Sequence, residues 1–432
     1  MGVLRQFRIQ AAQRNSHNWR TKMRMKLLLS TAVVALIGAS SAFADNNTIY
    51  LNQLDASQDA TITQSGSGNH VGSGGNYFLQ QNGGGTGDNQ LTITQTGNNN
   101  WVSRDGAGFQ SGTTNTAHIS QAGFNSDVEL QQNGTNNGKP NVGWSNSPNY
   151  DTIVQDSSSN GSKAGVYQTG NNNAFDIVQG GNNNNTSVMQ NGAGGLAFTR
   201  QAVGNWAQDV TGRWYPVNGS NNNIAINQTS ASVNYAVAVQ GAGDGNGLAI
   251  TQSGDWLGAN IWQIGSGNYA SSVQSGNHNA IGTSDANLSS DTPFIQQGNN
   301  NQLINSQTGS YSVVNGSQIG SGNYIYTSQT GNYATAQINQ AGDSNYVLSN
   351  QGNFAVATIT QNGNSNKSIG SQYGGESGQE NTALINQSGT NNYANYAQNG
   401  TSNLASVTQT NYGNFSVTSQ TGSGHVATIV QN

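Results

Sequence analysis

The chain has 432 residues and a net charge of −5, and its charged residues are only 7% of the total, against about a quarter in an ordinary globular domain. Hydrophobic residues reach 33%, Gly has 58 copies, Pro has 4 and Cys none. This excludes a conventional Leu/Ile/Phe core, disulfide staples, thiol catalysis and thiolate metal sites, and it leaves no basic stripe to neutralise nucleic-acid phosphates. Disorder usually joins low hydrophobicity to high net charge and many Pro, Lys and Glu. A weakly charged chain rich in Asn, Gln, Ser, Thr and Gly favours cross-β stacking instead.

In chain order, the first element is an address. Met25-Lys26 precedes an apolar run from Leu27 to Gly38, and Ala39-Ser40-Ser41-Ala42-Phe43-Ala44 follows. Positive start, short apolar middle and A-x-A ending predict a secretory signal peptide cleaved after Ala44, with Asp45 as the mature start. The run is shorter than the ~20 apolar residues that span a bilayer. Residues 1–24 are basic, polar and too long for an ordinary leader start, which points to translation beginning at Met23 or Met25. Residues 45–60 are read as a short mature N-terminal segment and 61–432 as the repeat region.

The repeat is centred on glutamine. Gln110, Gln121 and Gln132 are eleven residues apart, as are Gln168, Gln179, Gln190 and Gln201, then Gln252, Gln263 and Gln274. The step continues through Gln296, Gln307, Gln318, Gln329, Gln340 and Gln351, and through Gln387, Gln398, Gln409, Gln420 and Gln431. Between Gln274 and Gln296 it lands on Asp285, read as a substitution in an unbroken register. Two residues after Gln comes a turn glycine: Gly170, Gly254, Gly265, Gly276, Gly309, Gly320, Gly331, Gly342, Gly389, Gly400 and Gly422. Five after it comes Asn173, Asn268, Asn279, Asn323, Asn345, Asn392 or Asn403. Ala often follows at +7 and Ile or Val at +9.

Positions +5, +7, +9 and +11 alternate, so in a strand they share one face, read as inward. The outward face is expected to carry mostly Thr, Ser, Asn, Gln and Tyr. Positions +1 to +4 hold Gly and Asn, which accept the positive φ of tight turns. Each unit therefore reads as a strand of about seven residues and a turn of about four. Eleven residues also equal three helical turns, but a Gly in every unit and many β-branched residues make helix a poor choice. Two units make one flattened coil, so the predicted fold is an all-β, two-sheet, cross-β solenoid of about 22-residue coils stacked ~4.8 Å apart. Stacked Gln and Asn would form amide ladders that penalise any slip of register.

Proline marks the breaks. Pro140, Pro148 and Pro216 lie in gaps of the Gln series and Pro293 follows Asp285. Proline is expelled from strands bonded on both edges, so residues 138–149 and 211–219 are expected to be irregular insertions. Candidate chemistry is sparse. His70, His118, His278 and His425 are isolated, and no His/Asp/Glu cluster has metal-ligand spacing. Gly241 to Gly247 lacks the Lys and the strand–loop–helix setting of a phosphate loop. No catalytic residue, cofactor or metal is expected. Tyr269, Tyr324, Tyr346 and Tyr393 share the outward +6 position, as an adhesive aromatic strip or as ordinary strand formers. Asp244, Asp255 and Asp343 read as gatekeepers against premature assembly or as ordinary turn residues.

The repeat resembles the curlin repeat family, the subunits of bacterial curli fibres, in which Gln-x-Gly-x-x-Asn-x-Ala is followed by a second Gln. The segments from Gln168 to Gln179, from Gln274 to Ala280 and from Gln398 to Gln409 carry the likeness, whereas those after Gln201 and Gln409 depart from the pattern. The resemblance implies secretion across both membranes of a Gram-negative cell through an outer-membrane channel, and assembly into adhesive amyloid fibres of the biofilm matrix. Implied partners are other copies of the chain, a nucleator subunit, the channel, and surfaces or matrix. The regular units from Gln387 to the end, with no visible cap, are more like a major subunit than a nucleator. The alternative is a soluble monomeric solenoid, either ice-binding or an adhesin.

Overall fold

Strict alternation shapes each strand. In Ala355–Asn364, Ala355, Ala357, Ile359 and Gln361 are buried, while Val356, Thr358 and Thr360 sit between them on the other face. The computed structural model describes residues 46–432 apart from 56–57, 76, 82–88, 107, 139–150, 202–206, 209–213, 216–218, 231 and 283–292. Among the described residues there are 36 strands and no helix. One sheet has 18 strands, a second has 16, and Ala207–Gln208 pairs with Trp214–Tyr215 as a small antiparallel hairpin.

Within the large sheets, strands pair in parallel and in register, as in Lys163–Asn171 against Asn185–Ala193, where Gln168 faces Gln190 and Gly170 faces Gly192. The chain alternates between the sheets, so two strands complete one coil. The result is a β-solenoid of about 14 turns, spaced about 23 residues apart.

The sheets enclose a narrow core of like on like. Ile62, Ile93, Ile119, Ile153 and Ile177 form one column, and Ile338, Ile359 and Ile385 continue the theme further along. Each such buried side chain contributes roughly 1.5–3 kcal/mol, an upper figure because unfolded chains already hide some apolar surface.

Three expectations are corrected. First, the sequence step through Asp285 is not a substitution. Strand Gly258–Ile264 pairs with both Ala280–Ile281 and Phe294–Gln297, so one strand is split, and Gln263 bonds directly to Gln296. Second, many strands run past the glutamine: Lys163–Asn171, Tyr269–Asn277 and Tyr393–Thr401 each span nine residues and include the +2 glycine. The flat coil prolongs pairing through that glycine and leaves a shorter corner. Third, the outward face, expected to carry mostly Thr, Ser, Asn, Gln and Tyr, holds a local apolar patch. Leu196, Phe198, Tyr235, Val237, Val239 and Trp262 form a second buried cluster on the outer side of the second sheet.

The expected leader over 1–44, the mature start at Asp45, Asp285 itself and Pro140, Pro148 and Pro216 lie outside the described residues, as do most of 138–149 and 211–219. Pro293 is buried directly before Phe294, where the split strand resumes.

Candidate functional site: two amide ladders

Two unbroken columns of glutamine run through the core, one along each sheet. In the larger sheet Gln53, Gln80, Gln110, Gln132, Gln168, Gln190, Gln228 and Gln252 each donate from Nε2 to Oε1 of the next. Gln252 donates to Gln274, and the column continues through Gln307, Gln329, Gln351, Gln372, Gln398 and Gln420. The second column passes through Gln64, Gln95, Gln121, Gln155, Gln179, Gln201, Gln240 and Gln263. It goes on through Gln296, Gln318, Gln340, Gln361, Gln387, Gln409 and Gln431. Distances are typically 2.8 Å, as for Gln398–Gln420, and stretch to 3.4 Å between Gln351 and Gln372.

The second amide hydrogen has its own partner. Gln398 Nε2 also donates to the carbonyl of Thr382 at 3.0 Å, and Gln409 Nε2 to that of Tyr393 at 2.9 Å. Both carbonyls open the preceding strand, on the opposite sheet. A carbonyl can only accept, so these bonds fix which way each amide faces. Every ladder bond points the same way along the chain, and glutamines such as Gln398 and Gln409 tie coil to coil and sheet to sheet.

Asparagine builds two further lines, one at each corner. Asn345 N–H donates to Asn323 Oδ1 at 3.0 Å, and Asn323 Nδ2 donates to the carbonyl of Gly342 at 2.7 Å. Asn268 reaches Gly298, Asn279 reaches Gly309, Asn173 reaches Gly192 and Asn403 reaches Gly422 in the same manner. Asn345 reaches Gly363, and Asn392 reaches the carbonyl of Asn411. The asparagine of one coil thus holds the residue two after glutamine in the next.

That contact explains the glycine. A Cβ on Gly170, Gly265, Gly320, Gly342 or Gly400 would lie 1.9–2.2 Å from a carbonyl oxygen of the next coil. Gly276, Gly389, Gly254 and Gly309 are equally confined, and Gly331 lies 2.1 Å from the backbone nitrogen of Asn353 on the same measure. At Gly422 the nearest atom would be His425 Nε2, at 2.9 Å. Gly170 has φ +106° and Gly400 +122°, but Gly254, Gly309 and Gly331 are not in the positive region, so close stacking is the more general demand.

Gln155, Gln228, Gln240, Gln361 and Gln372 join the columns although they fall off the eleven-residue phase. Their signal is local: Gln240 ends the alternating stretch YAVAVQ and Gln361 ends ATITQ.

Other side chains have ordinary settings. Asp244 and Asp343 accept from the backbone N–H groups of Ser220 and Ser321, as turn residues do. The outward column from Tyr269 reads Gln302, Tyr324, Tyr346, Lys367, Tyr393 and Phe415, so the tyrosine strip is interrupted, and the Lys367 ammonium lies 5.1 Å from the Tyr346 ring centre. His118 pairs with Asp151 at 3.0 Å, and that hydrogen bond raises the imidazole above its usual pKa. Burial pushes Asp127 up to about 6. No group of three or more His, Asp or Glu with metal-binding geometry occurs among the described residues.

Residues 378–410 match the family model described as Curlin associated repeat. The match spans Gln387 and Gln398 with Gly389, Gly400, Asn392 and Asn403, and it supports the resemblance carried by the repeat. A search of the curated proteins finds no match.

Proposed function

We propose that this curlin-repeat chain is a secreted structural subunit that polymerises end to end into extracellular amyloid-like fibres serving cell adhesion and the biofilm matrix. The observation that supports this reading most is the sameness of the coil junctions. Each uses in-register parallel backbone pairing and two one-way glutamine bonds. A junction between two copies needs no other chemistry, since an unpaired sheet edge is a template for another strand. The common direction of the amide bonds makes addition head-to-tail, because reversed copies would set donor against donor. By resemblance, a nucleator subunit and an outer-membrane channel are partners. A soluble ice-binding solenoid would need a flat threonine array, whereas the outward columns run Thr358–Leu384–Ser406 and Thr360–Asn386–Thr408.

Purified residues 45–432 should grow fibres from seeds and give the ~4.7–4.8 Å reflection of stacked strands. A solution that stays monomeric under seeding overturns the proposal. Replacing Gln398, Gln409 and Gln420 with Ala should slow growth.

A further inference from the structure

One corner of the solenoid carries a second ladder, made of rings. Trp256, His278, Tyr311, Tyr333 and Phe354 follow consecutive strands of the larger sheet and stack in parallel. Ring centres are 6.1, 4.6, 5.0 and 5.0 Å apart in that order, with planes within 13° of parallel. All five have positive φ, between 47° and 58°. Bulky side chains are disfavoured there, and every other non-glycine residue at positive φ in the described chain is Asn, Asp, Ser or Thr. Those residues turn the same kind of corner without a ring, so the fold does not require aromatics at the site. Strained backbone that the fold does not require is a pointer to function.

Within this column Tyr311 and Tyr333 are the closest to a superposed pair, with planes 4° apart, and they are 46% and 49% exposed. A second pair, Tyr324 and Tyr346, stacks at 4.9 Å and 5° on the outer face of the same sheet. Register sets both pairs: Gln302–Gln307, Tyr324–Gln329 and Tyr346–Gln351 are neighbouring strands, so the two pairs bridge three successive coils.

We propose that Tyr311–Tyr333 and Tyr324–Tyr346 are oxidative cross-linking sites, at which a peroxide acting through a peroxidase couples stacked phenols into dityrosine and staples neighbouring coils. Each phenol gives up one electron and one proton to become a phenoxyl radical, with spin density on the carbons beside the oxygen. In a parallel stack those carbons lie over one another. Two of them form a C–C bond, and the ring hydrogens then move to oxygen to restore both phenols. The two electrons and two protons reduce one peroxide to two waters. Rotation of the exposed side chains closes the remaining gap.

The inference concerns coils within one chain, so its readout is independent of fibre growth. The full mature chain, dilute and unseeded, is treated with hydrogen peroxide and a peroxidase, then digested and mapped by mass spectrometry. Intrachain links are expected at 311–333 and 324–346, each with loss of two hydrogens, together with a raised urea midpoint. Tyr333→Phe should remove the first link, Tyr346→Phe the second, and the double variant nearly all intrachain dityrosine fluorescence. Tyr412 is 74% exposed and its bridge partner is Thr390, so it reports oxidation without a stacked partner. Links only between chains, undiminished dityrosine in the double variant, or oxidised Tyr412 without either link would each overturn the proposal.

Discussion

Gly370 and Tyr396 show how far a single residue is constrained by the coil beside it. They are in-register neighbours on adjacent strands, and a Cβ on Gly370 would lie 1.8 Å from Tyr396 Cζ. The ring is 1% exposed and fills the space the glycine leaves, and burial pushes its phenol up to about 12. Gly370→Ala should therefore cost about 1–3 kcal/mol or more in urea unfolding, as overpacking does. Adding Tyr396→Leu should recover part of that loss; simple additivity in the double-mutant cycle would show that the two side chains do not compete for the space. The ladder glutamines are constrained differently. Gln398→Ala would orphan the Gln420 acceptor, at roughly 1–3 kcal/mol for a buried group left unpaired, and leave Gln372 Nε2 only the backbone carbonyls of Val356 and Asn381.

Among elements, strand Asp127–Thr135 departs most from the neutral pattern. Asp127 is buried between Trp101 and Lys163 of the neighbouring strands, and Asp105 and Arg104 also act on it. Burial dominates, so its carboxyl titrates at about 6, and burial raises Glu129 as well. A carboxyl raised on folding favours the protonated native state. Its stabilising share is full below the unfolded carboxyl range and is lost as pH rises through about 6. Once the intrinsic pH dependence of exchange is divided out, amides of this strand should show larger protection factors at pH 5 than at pH 7, and Asp127→Asn should remove most of that difference. A difference that persists in the variant would assign it elsewhere. Other elements depart by length. The strand that pairs with Gly258–Ile264 is split between Ala280–Ile281 and Phe294–Gln297, and both ladders still close there, Gln263 to Gln296 and Gln274 to Gln307.

At the scale of the whole molecule, each coil touches chiefly its two neighbours, so stability is nearly a sum over coils and their interfaces. Excising residues 330–351, one coil, leaves Gln329 to meet Gln372 and Gln318 to meet Gln361. The shortened chain should keep its strand signal, lose about one coil's share of unfolding free energy, and still be seeded by the full chain. Collapse to an unfolded chain would show that the coils are not interchangeable.

The sequence alone determines the period, the strand alternation and the all-β solenoid, because in-register stacking repeats the same residue types at a fixed interval. Gly and Asn signals were legible for the same reason. Gln361 and Gln372 were not, since the step from Gln351 to Gln361 is one residue short and the phase is lost there. Only the tertiary structure decided the common direction of the amide bonds, the direct step from Gln263 to Gln296, the apolar outer patch at Phe198 and Trp262, and the ring column at the corner. Each depends on which coil lies against which, and those partners are 22 residues apart at Gln398–Gln420 but 39 at Gln201–Gln240. The repeat fixes what each coil offers to its neighbours, and the length of every excursion decides which coil receives it.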